Sequence, residues 1–310
     1  MSSIILTSLE LGLITSLTVL ALFLSYQMLN VCDLSTDGCF TVGATVGAMV
    51  ALSGHPWLSI IAAMAAGTLS GFISAILQTK MGIDSLLAGI IVNTASYSVN
   101  IAIMKKSSVV NLNKSDTVFT IAKDLLQKTA ISSYYRLAVI LVAVIAVTLF
   151  LHFFLKTRLG LAIRATGNNR TMVLSSSIDP AKMTIIALCI SNSFTALSGC
   201  LLGQSQKSVN IDIGSGMLTV ALASLLIGRI FYRSESKMLQ KIVASVIGAV
   251  IFRFIYALAL RLHMSAFMLK FISSSIVVIA ISLPYLYKVQ KENARIREHR
   301  KSQEAEHVRD

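Results

Sequence analysis

The chain has 310 residues, of which 55% are hydrophobic and only 13% charged, with a mean hydropathy of +0.75 and three prolines. Water-soluble domains carry about 25% charged residues, so half that density over this length excludes a soluble globule, and the apolar excess excludes a disordered chain. The net charge of +13 does not point to nucleic acid, because most basic residues sit in short stretches between apolar runs, the pattern of a polytopic membrane protein.

A spanning helix needs about 20 predominantly apolar residues. Reading from charge to charge, the first candidate lies between Glu10 and Asp33. The N-terminus has neither the basic region nor the small-residue cleavage site of a secretory signal, so this run is expected to stay as a span. The uncharged tract from Asp37 to Lys80 breaks at Ser53-Gly54-His55-Pro56-Trp57, giving a short segment (39–53) and a full one (57–78). Pro56 suits a first helical turn and Trp57 an interfacial anchor. Asp84 is expected to cap a fourth helix (85–104), and a fifth follows at 135–155 after a polar loop with a short helix over 117–130. Asp179-Pro180 opens the sixth, to about Gln204, and further segments fall near 214–229, 240–261 and 268–287, before a charged tail. The expected fold is therefore all-α, an integral membrane bundle of about nine segments. Residues 1–287 form the membrane domain and 288–310 the tail.

With segments alternating in direction, Lys80, the 156–182 loop, the 229–241 loop and the tail share one side and hold 17 basic residues, against nine on the other. The positive-inside rule places the first set in the cytoplasm, with the C-terminus inside and the N-terminus outside. The six basic residues from Lys105 to Arg136 run against this. The tail reads as a solvated helix extension, with binding to anionic lipid as the sharper reading.

Catalytic chemistry is absent. There is no Gly-x-x-x-x-Gly-Lys-Ser/Thr loop for ATP, the five histidines have no metal-ligand spacing, and the serine-rich 175–177 stretch has no acid–base partner nearby. Cys32, Cys39, Cys189 and Cys200 form no Cys-x-x-Cys pair and read as small apolar residues. The pairs Gly43/Gly47, Gly67/Gly71 and Gly199/Gly203 allow helix backbones to approach closely, within one chain or across a dimer.

Three features carry functional weight. Asp33-Leu34-Ser35-Thr36-Asp37-Gly38 is either a capped turn or a pair of carboxylates lining a polar pathway beside a short helix. Asn93, Thr94, Tyr97 and Asn100 lie on approximately one face of the fourth span, either bonded to neighbouring helices or lining a pathway, and Arg253 in a later span must likewise face protein or water. The 156–180 stretch is a basic, partly apolar loop whose 171–176 part can form a short helix, suited to docking on the membrane or on another subunit.

This loop, with Gly160, Arg164-Ala165, Gly167-Asn168 and the Ile178-Asp179 exit, resembles the coupling loop of ABC importer permeases of the branched-chain amino acid and ribose type. The likeness runs upstream through residues 33–38 and Leu86-Leu87-Ala88-Gly89-Ile90, and downstream through Gly216–Ser224, Gly248 and Leu283-Pro284. It covers roughly residues 10–287 and is strongest to the single-permease systems associated with tryptophan or tyrosine. Ser177 stands where relatives commonly have glycine, and Arg229 where an acidic residue is expected.

The resemblance implies a permease subunit in a bacterial plasma membrane that imports a small solute, an aromatic or branched-chain amino acid. The chain itself binds no cofactor; ATP and Mg bind a separate ABC ATPase subunit. That subunit would dock at Gly160, Arg164, Ala165, Gly167, Asn168 and Arg170, with Asp179 at the loop exit. An extracytoplasmic binding protein delivers the solute, and a second permease copy completes the pathway in the lipid bilayer. Asp33, Thr36, Asp37, Asn93, Tyr97 and Asn100 are the expected pathway residues. Other readings are a stand-alone secondary transporter, and an importer for a sugar or nucleoside. A secondary transporter would show intramembrane carboxylates and an internal repeat, neither of which is evident.

Overall fold

The computed structural model describes residues 2–113, 115–126, 134–231 and 237–261, with isolated positions at 271, 274, 275, 278 and 282. Helices α1 (Ser2–Leu22), α2 (Thr36–Leu52), α3 (Pro56–Thr79) and α4 (Ser85–Ile103) come first, with a π-helical turn at Phe23–Met28. Then follow α5 (Val118–Leu126), α6 (Tyr135–Phe154), α7 (Arg158–Asn168) and α8 (Arg170–Ser175). The series ends with α9 (Pro180–Gln206), α10 (Met217–Ile230) and α11 (Met238–Arg261). Six of the described helices are long and apolar enough to span a bilayer, while α2 and α10 are apolar but shorter. This is an all-α, multi-pass membrane protein. The segment expected at 268–287 lies outside the continuously described residues, and the 288–310 tail lies wholly outside them.

The start signals are local. Pro56 occupies the first turn of α3. Asp84 Oδ1 accepts the Leu86 N–H at 2.9 Å, and Asp179 Oδ1 accepts the Ala181 N–H at 2.9 Å. Each carboxyl satisfies a backbone donor that the first helical turn leaves without an intrahelical partner.

Helix α9 is the axis of the bundle and packs against α1, α2 and α3. Polar side chains fasten it at several depths: Ser198 donates to the Ile14 carbonyl (2.6 Å), Ser191 to the Ala21 carbonyl (2.8 Å) and Gln204 to Ser59 Oγ (2.7 Å). Gly43 of α2 faces the Ala196 backbone, and Gly199 of α9 faces the Phe40 carbonyl. A side chain at either position would enter the facing backbone, so these small-residue stripes serve close crossings within the chain.

Several expectations change. Glu10 lies inside α1 rather than at its edge, buried, with Arg136 as a nearby positive charge. A two-stranded antiparallel ladder, β1 (Val109–Asn111) with β2 (Ser208–Asn210), joins two loops on one end of the bundle, with Val110 opposite Val209. These strands are too short to show a period in sequence. Ser177 adopts the left-handed conformation itself (φ 59°), so the exit from α8 keeps the geometry that glycine would favour. The four cysteines are free thiols, in keeping with their reading as small apolar residues.

Candidate functional site

The turn before α2 separates the two aspartates that the sequence paired. Asp33 is buried: its Oδ2 accepts the Asn192 amide at 2.7 Å, and its Oδ1 accepts the Ser35 N–H at 2.9 Å and the Ser74 hydroxyl at 3.4 Å. Thr36 is also buried and donates to the Asp33 carbonyl (2.8 Å). These two residues knot the start of α2 to α3 and α9, and neither belongs to the wall of the cavity that Asp37 borders.

Asp37, one turn on, reaches the start of α10. Its Oδ2 accepts the Gly216 N–H at 2.9 Å and its Oδ1 accepts the Leu218 N–H at 2.7 Å. A carboxylate from α2 thus caps the N-terminus of a short helix, where unpaired N–H groups and the helix dipole favour negative charge. Asp37→Ala removes both bonds and is expected to lower stability by about 2 kcal/mol. The readout is the thermal unfolding midpoint of the purified protein in detergent, and an unchanged midpoint would show that the cap is not held.

Asp37 also borders a cavity of about 350 Å³ whose wall includes Thr41, Asn93, Thr94, Tyr97, Asn100, Asp212 and Ser215. Four of the six expected pathway residues, Asp37, Asn93, Tyr97 and Asn100, therefore meet here. Asn100 is buried and accepts the Thr45 hydroxyl at 3.0 Å, while Tyr97 is exposed. The sequence reading missed Thr41, Asp212 and Ser215. The signal was available only in the polar run that precedes α10, Asn210 to Gly216. A larger hollow of about 870 Å³ between α3, α6 and α9 is walled almost wholly by aliphatic and aromatic side chains such as Met64, Val142 and Phe194. It offers a polar solute little to bind. Arg253 lies against the Met217 sulfur (3.9 Å) and over the Tyr256 ring (5.8 Å), with no carboxylate paired to it among the described residues.

The 156–180 loop consists of two helices rather than one. Thr157 caps α7 by accepting the Gly160 N–H (3.2 Å), and Asn169 caps α8 by accepting the Met172 N–H (3.0 Å). Gly160 and Gly167 lie within α7 and serve close approach rather than turns: Gly160 faces the Phe154–Leu155 backbone, and Gly167 faces the Met28 carbonyl and Leu29. Helix α7 buries Ala162, Ile163 and Thr166, while Leu159, Leu161, Met172, Leu174 and Arg170 stay exposed and Arg164 is half-buried. Ala165 is half-buried, Asn168 is exposed, and Asp179 is spent on the α9 cap. The 27 residues of α9 are about 40 Å of helix and separate these helices from β2, while the loop after β2 turns back to set Gly214 against the Asp37 carbonyl, level with the middle of α9.

No solved structure matches this chain. Among curated proteins, it is 30% identical over 287 residues to the tyrosine transport system permease protein of Clostridioides difficile, covering 92% of this chain and 93% of that one. It is 30% identical to an uncharacterised protein of Rickettsia prowazekii, over 90% of this chain and 97% of the other. The guanosine ABC transporter permease protein of Bacillus subtilis is 26% identical over 64% of this chain and 67% of its own length. The model of the branched-chain amino acid transport system permease component matches residues 4–282. With its apolar helices, a polar cavity at a helix break and an amphipathic helix pair at one end of the bundle, the chain belongs to this family of ABC-type transport permeases.

Proposed function

We propose that the chain is the pathway-forming subunit of an importer that brings a small amino acid, of aromatic or branched-chain type, into a bacterial cell. The observation that carries this reading is the polar cavity at the Asp37-capped start of α10, level with the middle of α9 and away from the exposed α7–α8 surface at that helix's start. Discontinuous helices whose ends meet a polar cavity are a common way to pass solute through a bilayer.

In this reading ATP and Mg bind a separate ATPase subunit, and no cofactor binds here. That subunit docks on α7 and α8, where Leu159, Leu161, Met172 and Leu174 offer apolar contact and Arg164 and Arg170 offer charge. Gly160 and Gly167 let α7 sit flat on the bundle, against the end of α6 and the π-helical end of the first span, while the half-buried Ala165 and exposed Asn168 border the docking face. Closure of the ATPase dimer moves α7, and the movement passes to α1 and α9, whose packing differs between the ATP-bound and free states. The C-terminus is cytoplasmic and the N-terminus external, an extracytoplasmic binding protein delivers the solute, and a second copy completes the pathway. Residues 1–287 form the permease and 288–310 a cytoplasmic tail.

The test is uptake into proteoliposomes holding the full complex, with labelled tyrosine, leucine and guanosine, with and without ATP. ATP-dependent uptake of an amino acid is expected. Uptake without ATP, driven by an ion gradient, would overturn the proposal in favour of a secondary carrier. ATP-dependent uptake of guanosine alone would move the substrate to a nucleoside.

A further inference from the structure

The cavity wall holds two carboxylates, and they are not equivalent. Both oxygens of Asp37 are engaged by the Gly216 and Leu218 N–H groups, so its charge is committed to the α10 N-terminus. Asp212 lies on the loop between β2 and α10, is exposed, and its side chain makes no hydrogen bond or ion pair with the described residues. Only its backbone carbonyl is used, accepting the Ser215 N–H at 2.9 Å. Among the described residues, no lysine, arginine or histidine contributes to the wall.

A free carboxylate beside a partly enclosed cavity draws a cation and repels an anion, more strongly than the same group would in open water. The remaining described wall is neutral. The Asn93 amide can donate to a carboxylate, the Thr94 hydroxyl already donates to the Ile90 carbonyl (2.9 Å), and the exposed Tyr97 ring offers an aromatic face. A zwitterion fits this distribution: ammonium at Asp212, carboxylate toward the Asn93 amide of α4, side chain along Tyr97. A neutral sugar or nucleoside would leave the Asp212 charge without a partner.

We propose that Asp212 is a specificity-determining residue, whose carboxylate receives the ammonium group of a small amino acid as it enters the cavity. This rests on the importer reading above. The carboxylate selects for a protonated amine, and the α4 face then orients the solute.

The experiment measures ATP-dependent uptake of labelled tyrosine, leucine and guanosine by proteoliposomes containing the full complex, as wild type, Asp212→Asn and Asp212→Glu. Asp212→Asn is expected to reduce kcat/KM for the amino acid about tenfold, the size of one lost charge-assisted contact. Asp212→Glu is expected to recover most of that loss, and the wild-type advantage over Asp212→Asn is expected to shrink at high ionic strength. Wild-type amino-acid uptake by Asp212→Asn, or equal loss in both variants while each still assembles with the ATPase, would overturn the inference and leave the importer standing. So would a wild-type complex that takes up guanosine but neither amino acid. A wild-type complex with no ATP-dependent uptake would overturn both readings.

Discussion

Asp33→Ala is expected to destabilise the protein by about 3 kcal/mol, because it strands buried donors that have no water to turn to. The Asn192 amide loses its acceptor at 2.7 Å, the Ser35 N–H loses one at 2.9 Å and the Ser74 hydroxyl one at 3.4 Å. These donors belong to α9, the turn before α2, and α3, so a single substitution loosens the contact of three elements. Asp33→Asn keeps one acceptor oxygen and is expected to lose about half as much. The measurement is the unfolding midpoint and the monodisperse fraction in mild detergent for both variants. A midpoint for Asp33→Ala equal to wild type would mean that the knot does not hold the helices together.

Gly167→Leu is expected to cut ATP-driven uptake by more than about tenfold while leaving the bundle folded. A leucine there would occupy the space of the Met28 carbonyl and Leu29, so α7 must lift from the π-helical end of the first span. Overpacking of this kind costs about 1–3 kcal/mol. It falls on a helix at the end of the bundle rather than on the α2–α3–α9 crossing, so the loss should appear in coupling first. Uptake and retained ATPase subunit are measured on the same preparation. Full uptake by Gly167→Leu would remove α7 from the coupling path.

Much of the fold was legible because a bilayer admits so few solutions. Charge-bounded apolar runs marked the described spans, and Pro56, Asp84 and Asp179 marked helix starts through backbone chemistry that needs no tertiary knowledge. The polar face at Asn93, Tyr97 and Asn100 followed from helical period, and it does meet a cavity. What escaped was set by distant contacts. Asp33 and Asp37 look alike in sequence, yet one faces Asn192 and the other the start of α10, each more than 150 residues away along the chain. Helix α7 is hidden in the sequence because Gly160 and Gly167 disfavour helix by about 1 kcal/mol each. The backbones packed against them leave no room for a side chain, and that outweighs propensity. Asp212 sits in a loop with no period, and only the fold brings it beside α4.

The most direct test of the account is a mild-detergent purification of the tagged chain, with co-purifying proteins identified and ATPase activity assayed. The account predicts a stoichiometric ABC ATPase, retained by the wild type and lost when Arg164 and Gly167 are changed together. A chain that purifies alone, and that still moves solute across a vesicle membrane without ATP, would contradict it.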